Sequence, residues 1–134
     1  MQGASATESL LAKSGNPDLR VLVVWEPILL TDWQPPTSFA LAQLHETYVA
    51  QFWDHNHLVA HEIARELNAN PSGPQPQCCG LNKTLWDFAA IYPKGAIWNS
   101  VAPQAVFANG PVAYVQEGLS GKIAALRNQN KQGN

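Results

Sequence analysis

The chain has 134 residues, a formal net charge of −2 and 13% charged residues, against about 25% in ordinary globular chains. Ten Asn and ten Gln fill the polar gap, and the apolar fraction is an ordinary 46%. These values fit one domain with a core, and they exclude two classes: nucleic-acid binding by basic stripes and charge-driven disorder. No run approaches the roughly 18 apolar residues of a membrane span. The low net charge opposes self-association only weakly, which leaves a homodimer open.

Residues 1–19 are small and polar and read as an N-terminal extension. Within it Thr7–Lys13 predicts a short helix, stopped by Gly15-Asn16-Pro17. Met1–Asn16 shows no basic segment followed by an apolar core, so no secretory signal is visible and a cytoplasmic location is the default expectation. A single domain is expected over 20–130, with 131–134 as a frayed tail.

Arg20–Leu30 (RVLVVWEPILL) is an almost unbroken β-branched and aromatic run. It predicts a strand buried on both faces, with Pro27 at its end or at a bulge. Thr31–Pro36 reads as a loop, with Thr37 or Ser38 capping a helix over 39–47. Tyr48–Trp53 predicts a second strand. Asp54 or Asn56 then caps a helix over 58–68, with Val59, Ile63 and Leu67 on one face.

Asn70–Gln77 holds three prolines and reads as an exposed loop. Leu85–Trp98 predicts an antiparallel hairpin around Pro93-Lys94-Gly95. Residues 103–107 and 111–115 predict extended arms around Asn109-Gly110, a turn pair. A last helix over 119–128 buries Leu119, Ile123 and Leu126. The order is β-α-β-α-β-β, a further extended pair, and α. The expected fold class is α/β, one mixed β-sheet flanked by helices, with the first two strands parallel neighbours or nearly so.

In this order the chain resembles the thioredoxin-like superfamily over Val21–Trp98. VLVVWEPIL is similar to the central strand that leads into that family's active-site helix. FWDHNHLVAHEIAREL is similar to the strand, Asp turn and helix that follow, and DFAAIYPKGAIW to the terminal hairpin. Trp86-Asp87 and Tyr92-Pro93-Lys94-Gly95 resemble the W-D and Y-x-x-G pattern of a bacterial thioredoxin-like group. The resemblance implies thiol–disulfide oxidoreductase chemistry at a Cys-x-x-Cys after the first strand, where a helix N-terminus lowers a thiol pKa. Here that place holds Thr31-Asp32-Trp33-Gln34, without cysteine. In an alternative alignment, Pro103 takes the family's cis-proline place and QAVFANGPVAYV forms the terminal hairpin.

Cys78 and Cys79 are the only cysteines and are adjacent. Flanked by a Pro-rich loop and Gly80, they are candidate catalytic thiols, one attacking and one resolving. A disulfide between neighbours closes a strained eight-membered ring, so it is labile rather than structural. The plain alternative is two small residues packed under a loop. His57 and His61 lie four apart at a helix start, a spacing that can hold a metal. With Cys78 and Cys79 they make a mixed N/S set suited to Zn or Cu(I), and no cofactor is required by any motif. Solvent-facing imidazoles beside a helix cap are the simpler reading.

Glu26, Asp32 and Trp33 surround the family's active-site position and are candidate binding residues, the two carboxylates suiting acid/base work. The simpler reading has Asp32 as a cap and Trp33 covering the core edge. Trp33 and Trp98 are candidates for an aromatic binding patch. Three functional classes follow: a thiol redox domain, a non-catalytic module that binds a protein or thiol partner, and a soft-metal binder.

Overall fold

The computed structural model describes every residue except 1, 17, 30, 78, 82, 83, 133 and 134. Helix α1 spans Gln2–Ser14, strand β1 Val21–Trp25 and helix α2 Ser38–Leu41. Strand β2 spans Val49–Trp53 and helix α3 Leu58–Ala69. Four short strands follow: β3 Gly80–Leu81, β4 Thr84–Leu85, β5 Ala89–Ile91 and β6 Phe107–Asn109. A 3₁₀ turn at Val112–Tyr114 leads into helix α4, Gln116–Gln132. The chain is mixed α/β, but the described strands form three two-stranded sheets rather than one mixed sheet.

β1 and β2 pair in parallel, Val21 opposite Val49 and Trp25 opposite Trp53, as the strand order predicts. The pair does not carry the two-sided burial expected of its apolar run. Leu22 is 70% exposed and Phe52 52%, and side chains alternate between faces along a strand. The other face is tied to α2 by one amide. Gln51 Oε1 accepts from the Trp25 indole N–H (2.9 Å), and Gln51 Nε2 donates to the carbonyls of Leu41 (2.9 Å) and Leu44 (3.0 Å).

α2 begins as predicted, with Thr37 Oγ1 accepting from the Ala40 amide. It stops at Leu41 instead of running to Thr47. Gln43 and Leu44 donate to carbonyls three residues back, which tightens the last turn, and Leu44 becomes buried. α3 buries Ala60, Ala64 and Leu67, with Ile63 partly buried, so its core face is turned from the Val59–Ile63–Leu67 line.

The hairpin expected around Pro93-Lys94-Gly95 does not form. The turn is there, with the Ala96 amide donating to the Pro93 carbonyl (3.1 Å), but Ile97 is 71% exposed and pairs with nothing described. β5 instead pairs antiparallel with β6, Ala90 opposite Ala108 and Ile91 opposite Phe107. The arm expected after Asn109-Gly110 is the 3₁₀ turn, so QAVFANGPVAYV is not a hairpin either. The cis peptide bond precedes Pro111, not Pro103.

The β5–β6 pair lies between two helical layers. Ala90 and Ala108 join α3, Leu85, Ala105 and Tyr92 in one core cluster. Ala89, Ile91 and Phe107 join Ala6, Leu10, Val112 and Leu119 in the other. Both clusters follow from strand alternation. α1 begins at Gln2, earlier than the predicted Thr7, packs on α4 and the 3₁₀ turn, and buries Ala6 and Leu11. α4 starts earlier than predicted, at Gln116, and in its first turn Gly118 faces the Phe107 ring, where an added Cβ would lie 3.1 Å from it. It runs to Gln132, past the predicted start of a frayed tail. Leu119 and Ile123 are buried as expected, Leu126 only partly. No helix among the described residues is long and apolar enough to cross a membrane.

Leu67 is 4% exposed and Leu22 70%. Leu67→Ala therefore lowers unfolding free energy by about 2–5 kcal/mol, while Leu22→Ala changes it by less than about 0.5 kcal/mol. Urea unfolding of the two variants against the parent checks both values.

Candidate functional site

β1 and β2 end level with one another, since Trp25 lies opposite Trp53. The next residues, Glu26 and Asp54, therefore leave the same edge of the sheet. The carboxyl edge of parallel strands is the usual ligand position in open α/β sheets. The Asp54 amide donates to the Trp25 carbonyl (2.9 Å), extending the ladder by one bond. Asp54 Oδ2 then accepts from the Val59 amide (2.7 Å) and so satisfies a free N–H in the first turn of α3, but the N-cap residue is His57 rather than Asp54 or Asn56.

Between Asp54 and the helix the chain makes a tight turn that ends on His57. His57 has φ 56° and ψ 29°, the left-handed region that non-glycine residues seldom enter. This conformation carries the imidazole back across the strand ends to Glu26. His57 Nδ1 lies 3.0 Å from Glu26 Oε2. The Glu26 side chain is 9% exposed and that of His57 23%. Burial raises the Glu26 carboxyl above its ordinary value. The His57 hydrogen bond and charge oppose that rise, the Asp54 charge adds to it, and His61 opposes it more weakly.

The candidate residues divide as follows. Glu26 and His57, which the sequence reading placed in separate groups, meet. The His61 ring lies 6.2 Å from that of His57, one turn along α3. Asp32 Oδ2 accepts from the Leu29 amide (3.0 Å) and closes its own loop. Trp33 is 70% exposed, so it does not cover the core edge, and Trp98 is 40% exposed. Among the described residues, no three His, Cys, Asp or Glu side chains gather into a metal-holding group.

Cys79 is 8% exposed, has φ 71° and is disulfide-bonded. Its carbonyl accepts from the Trp86 amide (3.1 Å). The one other cysteine in the sequence, Cys78, lies outside the described residues. Two cavities open away from the strand edge. One, of about 190 Å³, lies between α1 and α4; the other, of about 320 Å³, lies by the end of α1 and Tyr48. Neither is lined by Glu26 or His57.

A carboxyl raised by burial binds its proton more tightly folded than unfolded. Its share of stability is present at low pH and is lost as pH rises from the ordinary value of 4.5 to the raised one. Glu26→Gln keeps an oxygen acceptor for His57 and removes this titration. Unfolding free energies measured across that interval are expected to rise for Glu26→Gln relative to the parent as pH increases. A difference that stays flat with pH contradicts the raised carboxyl.

Compared with known proteins, the chain matches no family model, no curated protein and no solved structure.

Proposed function

We propose that this chain is a thioredoxin-like domain whose chemistry is thiol–disulfide exchange at Cys78 and Cys79. One observation carries the reading: Cys79 is disulfide-bonded in a chain with a single other cysteine, its neighbour. The place where thioredoxin-like enzymes hold Cys-x-x-Cys is Thr31-Asp32-Trp33-Gln34 in this sequence, so the exchange has moved along the chain. The helix and strand order, with a parallel β1–β2 pair followed by α3 and an antiparallel pair, supports the same reading.

The reaction consumes one external dithiol. Its thiolate attacks one sulfur of the protein disulfide, and the S–S bond breaks. The departing sulfur takes a proton, and a mixed disulfide joins protein and reductant. The reductant's second thiolate then displaces the protein sulfur, which takes the second proton. Two electrons pass to the protein, and the reductant leaves as a disulfide. Run backwards, the protein dithiol reduces a partner.

A second reading, a non-catalytic binding module, is favoured by the exposed Leu22 and Phe52 on one face of the β1–β2 pair. Alkylation followed by mass spectrometry separates the two. Without reductant the native protein is expected to take no alkyl group; after dithiothreitol it takes two. Cys79→Ser leaves one thiol at Cys78 that alkylates without reductant. In an insulin reduction assay the parent accelerates turbidity and Cys79→Ser does not. Failure of native dithiothreitol to open the disulfide, or equal turbidity rates for parent and variant, overturns the exchange reading and leaves the binding module.

A further inference from the structure

We infer that Glu26 and His57 form a general-base dyad at the carboxyl edge of β1 and β2, one that takes a proton from the thiol or hydroxyl group of a bound ligand. The dyad is independent of the cysteine chemistry, and it rests on geometry. Two parallel strands end level. The first delivers a carboxylate that is 9% exposed, and the turn after the second delivers an imidazole whose Nδ1 lies 3.0 Å from it. A neutral imidazole carries one N–H, and the hydrogen bond made by one ring nitrogen fixes the state of the other. A carboxylate beside Nδ1 accepts from Nδ1–H. The remaining nitrogen, Nε2, then bears a lone pair, on a side chain that stays 23% exposed.

Three features suit the arrangement to proton transfer rather than to packing. The carboxylate is buried and the imidazole partly open, so the pair has an inner, orienting member and an outer, reacting one. His57 is the N-cap residue of α3 yet sits in a left-handed conformation that costs free energy, where N-cap residues are ordinarily extended. The turn is held independently, by Asp54 on the Val59 amide (2.7 Å), so the ring position does not depend on the Glu26 contact alone. The charged or titratable groups around Glu26 are His57, Asp54 and His61. Asp54 adds negative charge that favours a proton on the dyad once a ligand supplies one.

The step is balanced without a further reactant. The ligand's S–H or O–H proton moves to Nε2, the ring becomes imidazolium, and its positive charge lies against the Glu26 carboxylate. The ligand is left as thiolate or alkoxide, a stronger nucleophile. Glu26 is a positioning residue and His57 the group that meets the ligand.

The test reads tautomer and reactivity directly. Two-bond ¹H–¹⁵N spectra of the ¹⁵N-labelled full chain, with His57→Gln for assignment, are expected to show that the neutral form of His57 is the Nδ1–H tautomer. Free histidine favours the other. In Glu26→Ala the signal is expected to move to the Nε2–H form. Carbethoxylation by diethyl pyrocarbonate, mapped by mass spectrometry, is expected to be faster at His57 than at the exposed His55. Glu26→Gln is expected to slow it at His57 by about tenfold, the lower end of the loss seen when a carboxylate behind a metal-bound histidine is removed, and to leave His55 unchanged. Should Glu26→Ala fail to fold, the tautomer of the parent and the Glu26→Gln rate still decide. An Nε2–H tautomer in the parent, or a His57 rate that Glu26→Gln leaves unaltered, overturns the dyad, whatever the cysteines do.

Discussion

The level ending of two parallel strands is the constraint on which the described site depends. Parallel strands cannot be joined by a tight turn, so a long segment separates β1 from β2, and residues 31 positions apart, Glu26 and His57, become neighbours. Had either strand ended one residue later, the side chain after it would have left from the opposite face. Pro27 fixes the first end, because it cannot donate to the ladder. Asp54 fixes the second, with its amide in the ladder and its carboxylate on the helix.

That edge has little support from bulk. β1 and β2 make a sheet of two strands, with Leu22 and Phe52 open on one face. The deeper packing lies elsewhere, around β5 and β6, where alanines and medium-sized side chains are layered between α3 and the α1–α4 pair. α3 joins the two parts. Its first turn belongs to the edge site and its middle to the core, through Ala60, Ala64 and Leu67. A firm core behind a loosely covered edge is a common division of labour between scaffold and site.

Local signals were legible in the sequence wherever the chain's own chemistry decided the outcome. Thr37 caps as its residue type requires, Asp54 bonds the first turn of α3 from outside the N-cap position, β2 and the parallel pairing stand where the apolar runs put them, and Asn70–Gln77 holds neither helix nor strand. Pairing choices were not legible. Ala89–Ile91 had two apolar runs within reach, and the one across Pro93-Lys94-Gly95 was nearer. The Val106 amide, donating to the Ile91 carbonyl (2.8 Å), selects the more distant run, and the buried Ala102 and Ala105 anchor the approach to it. The site was half legible. Glu26 and His57 each stood out, but their meeting depends on strand register and on a positive φ at a histidine, which no spacing encodes.

Gln51 carries a consequence for the length of the chain around it. Its amide closes a ring between α2 and β2, holding the carbonyls of Leu41 and Leu44 only a few residues upstream of the strand that supplies it. The same side chain accepts the Trp25 indole proton, so the ring is also stitched to β1. Surface connections ordinarily accept extra residues at little entropic cost. The segment between Leu44 and Val49 lacks that freedom. Lengthening it would leave two carbonyls and an indole competing for an amide that could no longer reach all three, so this connection has little room for insertion.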